Sequence, residues 1–408
     1  MSALQGVRVI DLSQMIGGPY CSQMLADLGA DVIKVEEPTR ALLTRMALSP
    51  PGADESRRFS GYWLSTNRNK RSVTLDLRVP ESRPVLADLI RCSDVVVENF
   101  SSQSRRSLGI SEEWGFRVRA DLIWASLTGC GRTGPDADRD GWDLTAQARG
   151  GLLDMTGDPD GPPMKTGNSS ADYLGGLHLA VGILAALHQR AVTGMGQLVD
   201  VSLLESVFAC LDGFPMWQSI AGVLPQRNGN FHPAAIPGYS VFSASDGYVV
   251  IGAAGPSFSR LMDLLGRPDL GAGLPPAGED DRKRWFEEAV GLISGWAGDH
   301  TRDEIRTVLD AHNVPNEAVR NLAEVWSDQQ LAARGSFLDL EHPDLGAIRT
   351  VGSPLHLSGS PVAVRRLPPE AGEHNEEVLR GLLGYDEERV ASLVERGALW
   401  GPGENSGS

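Results

Sequence analysis

The chain has 408 residues, 41% of them hydrophobic and 22% charged, with a formal charge of −16. That apolar share builds a large core, and the length fits two or three domains, or one large domain carrying a second. The acidic overall field argues against nucleic acid and anionic membranes as partners, so an anionic ligand would have to meet local basic patches.

Residues 7–12 (VRVIDL) read as a strand. A break at Gly17, Gly18 and Pro19 precedes a helical pattern over 20–28, and DVIKVE at 31–36 is a second strand. A strand over 73–77, a helix over 80–91, a strand over 94–99 (DVVVEN) and another over 122–127 follow. Short β-branched runs alternating with amphipathic segments imply βαβ units, a mostly parallel sheet and an α/β, Rossmann-like large domain. Ligands of such sheets bind beyond the carboxyl ends of the strands. Those ends carry Asp11-Leu12-Ser13-Gln14, Glu36-Glu37, Glu98-Asn99-Phe100 and Thr128-Gly129. From Ser169 the pattern turns helical, with candidates over 172–191 and 202–223. Residues 239–252 (YSVFSASDGYVVIG) read as a hairpin around Asp246-Gly247, inside a smaller domain with helices rich in Trp, Asp and Glu. Residues 337–356 return to strand-like alternation and 373–396 to helix. The expected division is a large α/β domain over 1–200, a linker helix over 201–224 and a smaller α+β domain over 225–325. A C-terminal part over 326–400 returns to the large domain, and a disordered tail occupies 401–408.

Cys21, Cys92, Cys130 and Cys210 are widely spaced, with no CxxC or His/Cys cluster, so neither a metal site nor a disulfide framework is expected. The opening MSALQGVRVIDLSQ lacks an apolar run after a basic segment, so no signal peptide is expected. The longest apolar stretch, 177–187, contains His178 and is too short for a bilayer. A soluble protein of a reducing cytoplasm is the expectation.

Several segments could carry chemistry. Asn67-Arg68-Asn69-Lys70-Arg71-Ser72 places three cations in four residues before a strand; such a run suits phosphate binding, although an isolated basic run is more often a solvated loop. Arg105 and Arg106 follow Asn99-Phe100, where Phe100 could stack on an adenine ring or belong to the core. Gln14-Met15-Ile16-Gly17-Gly18-Pro19 stands where a dinucleotide fold would carry G-x-G-x-x-G, which counts against a nicotinamide dehydrogenase. Asp172 opens a helix and fits either an N-terminal cap or a nucleophile. Gly175 and Gly176 in its first turn cost helix stability and would let another group approach closely. A carboxylate at a helix N-terminus is also expected to stay ionised. Asp143, in Gly141-Trp142-Asp143, fits a second active-site acid or a turn residue. His178 and His188 are expected to pack in the core, and His232 lies in a loop of open role.

Taken together, these segments resemble the class III CoA-transferases, the family of formyl-CoA transferase and carnitine CoA-transferase that also contains α-methylacyl-CoA racemase. The resemblance runs through VRVIDLSQMIGGPYCSQMLADLGADVIKVE, NRNKRSVTLDL, DVVVENF, LTGCGRTGP, DYLGGLHLAVGILAAL, TGMGQLVDVSLLES, LAARGSFLDLEHP and GEHNEEVLRGLLGY. It implies an interlocked homodimer whose large domain binds CoA, and a nucleophilic aspartate at Asp172. Acyl-CoA and a carboxylic acid are the implied substrates, with no cofactor beyond coenzyme A itself. The implied CoA-contacting positions are Gln14, Met15, Ile16, Gly17, Arg40, Arg68, Lys70, Arg71, Asn99 and Phe100. Where the family often has N-F-R-P-G and a later arginine before L-G, this chain has Asn99-Phe100-Ser101-Ser102-Gln103 and Ser107. Arg105 or Arg106 would stand in for that arginine.

Trp142, Tyr239 and His232 are candidates for the acyl pocket, and Asp143 for a secondary catalytic role. The racemase branch needs a histidine in G-H-D, and Trp142 occupies that place; tryptophan is no general base. The glycine run of formyl-CoA transferases is missing around Arg227-Asn228-Gly229-Asn230. The expected activity is thus CoA transfer through an aspartyl anhydride and an aspartyl-CoA thioester. A racemase, or a CoA-ester-binding protein without turnover, are the alternatives.

Overall fold

The computed structural model describes residues 2–37, 60–232, 234–273, 275–343 and 345–400. The chain falls into two compact units. One comprises Met1–Gly151, Gly167–Leu211 and Gln330–Ser408; the other comprises Leu152–Thr166 and Asp212–Gln329. No break in composition announces the excursion Leu152–Thr166. The expected disordered tail, 401–408, and Arg40 lie outside the described residues.

The first unit is built on six parallel strands: β1 (Arg8–Asp11), β2 (Asp31–Glu36), β3 (Lys70–Thr74), β4 (Val95–Glu98), β5 (Ile123–Thr128) and β6 (Gln197–Ser202). Their order is β3-β2-β1-β4-β5-β6, the doubly wound arrangement in which the chain reverses direction between β1 and β4. Register pairs Ile10 with Ile33 on one side and with Val96 on the other. The strands read as apolar runs because helices cover both faces. These helices are α1 (Gly17–Asp27), α2 (Gly61–Thr66), α3 (Ser82–Arg91), α4 (Ser102–Leu108), α5 (Glu112–Val118), α6 (Asp143–Arg149), α8 (Ser170–Thr193) and α9 (Leu203–Phe208), while α7 (Leu152–Met155) belongs to the second unit. α1 and α8 pack on each other and on the sheet. A core containing Ile10, Ile33, Leu86, Leu89, Trp124, Val378, Leu379 and Leu393 fills another side, so the C-terminal segment is part of this unit.

That segment also closes the edge of the sheet beside β3. Asn69 N–H donates to the Arg366 carbonyl at 3.1 Å, Asp76 N–H to the Ala398 carbonyl at 2.9 Å, and the Thr74 hydroxyl to the Trp400 carbonyl at 2.6 Å. An open parallel edge would otherwise present unpaired backbone groups.

Several expected elements are redrawn. The third strand begins at Lys70, three residues early, because the basic run is itself extended and buried. β6 was not expected: the two helical candidates around it masked the alternation of Leu198, Val199 and Val201. The single helix over 202–223 is two, α9 and a helix over Phe214–Ala221, separated where Asp212 takes a positive φ of 56°. The helix over 373–396 is a π-helix, Glu377–Leu382, followed after Gly384 (φ 72°) by an α-helix over Glu387–Glu395. α8 has 24 residues and suffices in length and hydropathy to cross a membrane, which corrects the expectation drawn from 177–187 alone. Its Leu179, Ile183 and Ala186 are buried, and it packs on β5 and β6. His178 and His188 are exposed on the opposite face, not packed in the core.

The second unit carries an antiparallel sheet of β7 (Tyr239–Ala244), β8 (Gly247–Gly252) and β9 (Asn316–Ala318). The hairpin turns at Ser245 and Asp246, with Ala244 opposite Gly247. Phe242, Val249 and Ile251 pack with Leu261, Met262, Ile293, Ile305 and Leu309 from three helices. Back in the first unit, β10 (Phe337–His342) and β11 (Gly346–Val351) form a separate hairpin.

Candidate active site

The reversal point between β1 and β4 is tied by one side chain. Asn99 accepts from the Gln14 N–H at 2.8 Å and donates from its amide to the Gln14 carbonyl at 2.8 Å. It thus mimics a strand partner just past both strand ends. The β1–α1 turn is braced from below by Asp11, fully buried among Ser13, Ser22, Lys34 and Lys70. Lys34 donates to the Ser13 carbonyl as well, and Lys70 to the Pro19 carbonyl at 2.9 Å. Burial works against the Asp11 carboxylate, yet Lys34 and Lys70, aided by both serine hydroxyls, hold it well below the usual carboxylate range. The turn itself is fixed in shape: Met15 sits at φ 65°, a strained conformation for a non-glycine residue.

Against this turn stands the first turn of α8. A Cβ on Gly17 would lie 3.0 Å from the Asp172 carbonyl oxygen and 3.3 Å from its Oδ1. A Cβ on Gly176 would lie 2.6 Å from the Gly17 carbonyl oxygen, and one on Gly175 would meet Leu203 at 2.8 Å and Leu127 at 2.9 Å. Gly176 is therefore what lets α8 bring Asp172 against the turn after β1, while Gly175 seats the helix on Leu127 and Leu203. Tyr20 of α1 and Tyr173 of α8 meet edge to face beside it, with centroids 4.9 Å apart.

α8 lacks its own cap: Ser169 makes no side-chain capping bond. Asp143 supplies it from α6. Its Oδ1 accepts from the Ala171 N–H at 2.8 Å and lies 3.4 Å from the Asp172 nitrogen, while Oδ2 accepts from the Gln147 amide at 2.8 Å. Gln147 is fully buried. α6 is placed in turn by Gly129 and Gly141, whose backbones touch: a Cβ on Gly129 would lie 2.3 Å from the Gly141 Cα.

Asp172 is half-buried. Burial pushes its carboxyl up to about 7, and the charge of Asp143 adds to the rise. A helix N-terminus favours a carboxylate by about 0.3–1 kcal/mol. That is under one pKa unit, each unit being about 1.36 kcal/mol. Burial and a like charge therefore win, correcting the expectation that the helix end alone keeps Asp172 ionised. The result is a poorly solvated carboxylate poised near neutrality, at the carboxyl end of a doubly wound sheet.

The structure brings Gln14, Met15, Ile16, Gly17 and Asn99 together at the reversal point, near Asp172. Met15 is exposed and Ile16 is buried. It corrects the phosphate reading of the basic run. Arg68 pairs with Asp27 at 2.6 Å and Arg71 with Asp31 at 2.6 Å. The three donors of the Lys70 ammonium are taken by Asp11, Pro19 and Asn67. Those cations answer carboxylates of the fold itself, Asp11 and Asp27 buried and Asp31 partly exposed. Phe100 belongs to the core rather than to an adenine face. Arg105 donates to the Phe100 carbonyl at 3.1 Å and faces buried Glu98 at 3.8 Å. Arg106 alone of this pair reaches solvent, 63% exposed beside Asp138. Trp142 is 72% exposed in the first unit. Tyr239 and His232 belong to the second, where their rings meet edge to face at 6.0 Å. Sequence reasoning missed Gln147 and Tyr20; the spacing of Asp143 and Gln147, one helical turn apart, is the signal that could have paired them.

The sequence pattern of CoA-transferase family III matches residues 4–375. The chain is 34% identical to succinyl-CoA--D-citramalate CoA-transferase of Chloroflexus aurantiacus, over 96% of each chain. It is 36% identical to succinate--glutarate CoA-transferase of Agrobacterium fabrum, over 93% of this chain and 95% of that one. Among solved structures it is similar to a CAIB/BAIF family protein from Brucella suis, with a TM-score of 0.81 and 33% identity over 94% of this chain and 99% of the other.

Proposed function

The chain belongs to CoA-transferase family III, and from that premise we propose that it moves coenzyme A from a donor acyl-CoA to an acceptor carboxylic acid with Asp172 as the covalent carrier. The observation that carries this reading is the placement of the half-buried Asp172 carboxylate against the Gly17 turn. A desolvated carboxylate is the stronger nucleophile once ionised.

The steps balance without net proton transfer. The Asp172 carboxylate attacks the thioester carbonyl, and the C–S bond breaks to release the CoA thiolate and leave a mixed anhydride. The thiolate attacks the aspartyl carbonyl of that anhydride and expels the donor carboxylate, forming an aspartyl-CoA thioester. The acceptor carboxylate attacks the aspartyl carbonyl and again frees the thiolate. Attack of the thiolate on the acceptor acyl carbon gives the new acyl-CoA and regenerates Asp172. Backbone N–H groups of the glycine-rich turns would stabilise the oxyanions. Gln14, Met15, Gly17 and exposed Arg106 remain as the proposed CoA contacts, with Asn99 holding the turn. Trp142 at the place of the racemase histidine supports transfer over racemisation.

The related enzymes carry the names of dicarboxylic acids, succinate and glutarate among them, which makes short dicarboxylates the first donors and acceptors to try. In a mass-spectrometric panel of such pairs, Asp172→Ala is expected to lose transfer by at least about 10³-fold while still binding acyl-CoA. Undiminished transfer by that variant would refute the role of Asp172.

The exposed face of α8 supports a homodimer. Leu177, Val181, Leu184 and Val192 line one side of it, Val181 65% and Val192 75% exposed in the single chain. A second copy of this chain is the proposed cover, and light scattering should then give a mass near twice 43.7 kDa.

A further inference from the structure

Asp143 forms and breaks no bond in the proposed reaction, yet it is built into the site more firmly than a turn residue needs to be. It is the second residue after Gly141, whose backbone contact with Gly129 fixes where α6 begins. One carboxylate oxygen accepts from Ala171 N–H and leans on the Asp172 nitrogen; the other is held by fully buried Gln147. Ser169, at the position where a capping side chain usually sits, contributes no such bond.

We propose that Asp143 is a positioning residue of the Asp172 centre: it caps the long helix α8 in place of Ser169, and its negative charge tunes the neighbouring carboxylate. This deepens the reading of Asp172 as the covalent carrier and rests on it for its place in catalysis.

The two roles pull in opposite directions. As an acceptor, Asp143 fixes the backbone that carries the nucleophile. As a like charge, it makes Asp172 harder to ionise. The other titratable groups packed around α8 are engaged elsewhere or act weakly on this carboxyl. On α1, Tyr20 faces Tyr173, Cys21 is buried near Asp11, and Asp27 pairs with Arg68. On α6, Arg149 pairs with Asp136. On β6 and α9, Asp200 accepts from Arg132 N–H and Glu205 from the Ser202 hydroxyl. β5 carries no titratable side chain. On α8 itself, Tyr173 has its phenol pushed up by burial first and by Tyr20, Tyr62 and Asp172 after it. His178 bonds the Leu174 carbonyl, His188 is exposed near the far end, and Arg190 pairs with Asp94. Asp143 is the one charge that acts on Asp172 among the described groups.

Asp143→Asn keeps an acceptor oxygen and removes the charge; Asp143→Ala removes both. Carbon-13 carboxyl NMR of the aspartate-labelled protein, with the Asp172 signal assigned by Asp172→Asn, reads the tuning directly. The midpoint of Asp172 should fall by about one unit in Asp143→Asn. Transfer at pH 6, relative to the same variant at pH 8, should rise by about fivefold over wild type, which is the larger ionised fraction that such a shift produces. Coincident midpoints in wild type and Asp143→Asn would overturn the tuning role. Amide hydrogen exchange reads the capping role: Ala171 and Asp172 should lose protection in Asp143→Ala and keep it in Asp143→Asn, and equal protection in all three proteins would overturn it. If wild type forms no acyl adduct at any pH, the transfer reading fails, while the NMR and exchange results still decide what Asp143 does.

Discussion

Two aspartates at neighbouring strand and helix ends meet opposite fates in this fold. Asp11 is fully buried, but two ammonium groups and two hydroxyls face it, and it is held ionised. Asp172 is less buried, but the charge acting on it is Asp143's, of its own sign, and its carboxyl rises to about 7. Partners, more than depth, decide the outcome. For Asp172 the consequence for stability has a definite sign. The native state holds its proton more tightly than the unfolded chain, so stability is full below about pH 4 and declines as pH rises to about 7, then levels. Asp172→Asn should therefore melt higher than wild type at pH 8, by roughly 2 kcal/mol after allowing for its partial exposure, and equally at pH 3.5. The proposed activity runs the other way: transfer should climb through about pH 7 as Asp172 ionises, and a flat profile between about pH 5.5 and 8.5 would contradict the assigned environment. None of this was legible in the residues around Asp172. The two glycines signalled a close approach, but not that the approaching group would be the Gly17 turn.

At the scale of elements, the β1–α1 turn is held by a buried charge cluster whose members come from three strands and one helix. A sequence shows the run Arg68, Lys70, Arg71 as a basic patch because their partners, Asp27, Asp11 and Asp31, lie about 40 to 60 positions away. Lys70→Met should shift Asp11 upward and loosen the turn, whereas Asp11→Asn strands two buried ammoniums. The second change is expected to cost about 3–5 kcal/mol in chemical denaturation, the usual penalty for breaking one side of a buried pair. Gly176→Ala would push the N-terminal end of α8 off the Gly17 carbonyl, now only 2.6 Å from the added methyl position. It is expected to lower transfer by about tenfold or more with little loss of thermal stability, since the strain falls on the site and not on the core. Helix and strand positions in the first third were readable from apolar runs and breaks. β6 and the split after α9 were not, since a strand of six residues between two helices, and a positive φ at Asp212, leave little mark on composition.

For the whole molecule, the parallel sheet follows from the βαβ rhythm, and the proposed site sits where such sheets place their ligands. The return of the C-terminal segment to cover β3 was foreshadowed by the late strands, although what closes that edge is irregular chain at Arg366 and at Ala398, just past the last helix, rather than a sheet strand. The apolar stripe on α8 is the feature that a single chain leaves unexplained, and Val181→Glu should halve the mass seen by light scattering if a second copy covers it. The central claim, that Asp172 carries the acyl group and then CoA, is tested most directly by trapping. The protein is incubated with succinyl-CoA, quenched with hydroxylamine, digested, and the peptide spanning Asp172 is weighed and fragmented. A hydroxamate on Asp172 that depends on acyl-CoA, and is missing from Asp172→Asn, is the predicted result. Transfer proceeding in full while that peptide stays unmodified would contradict it.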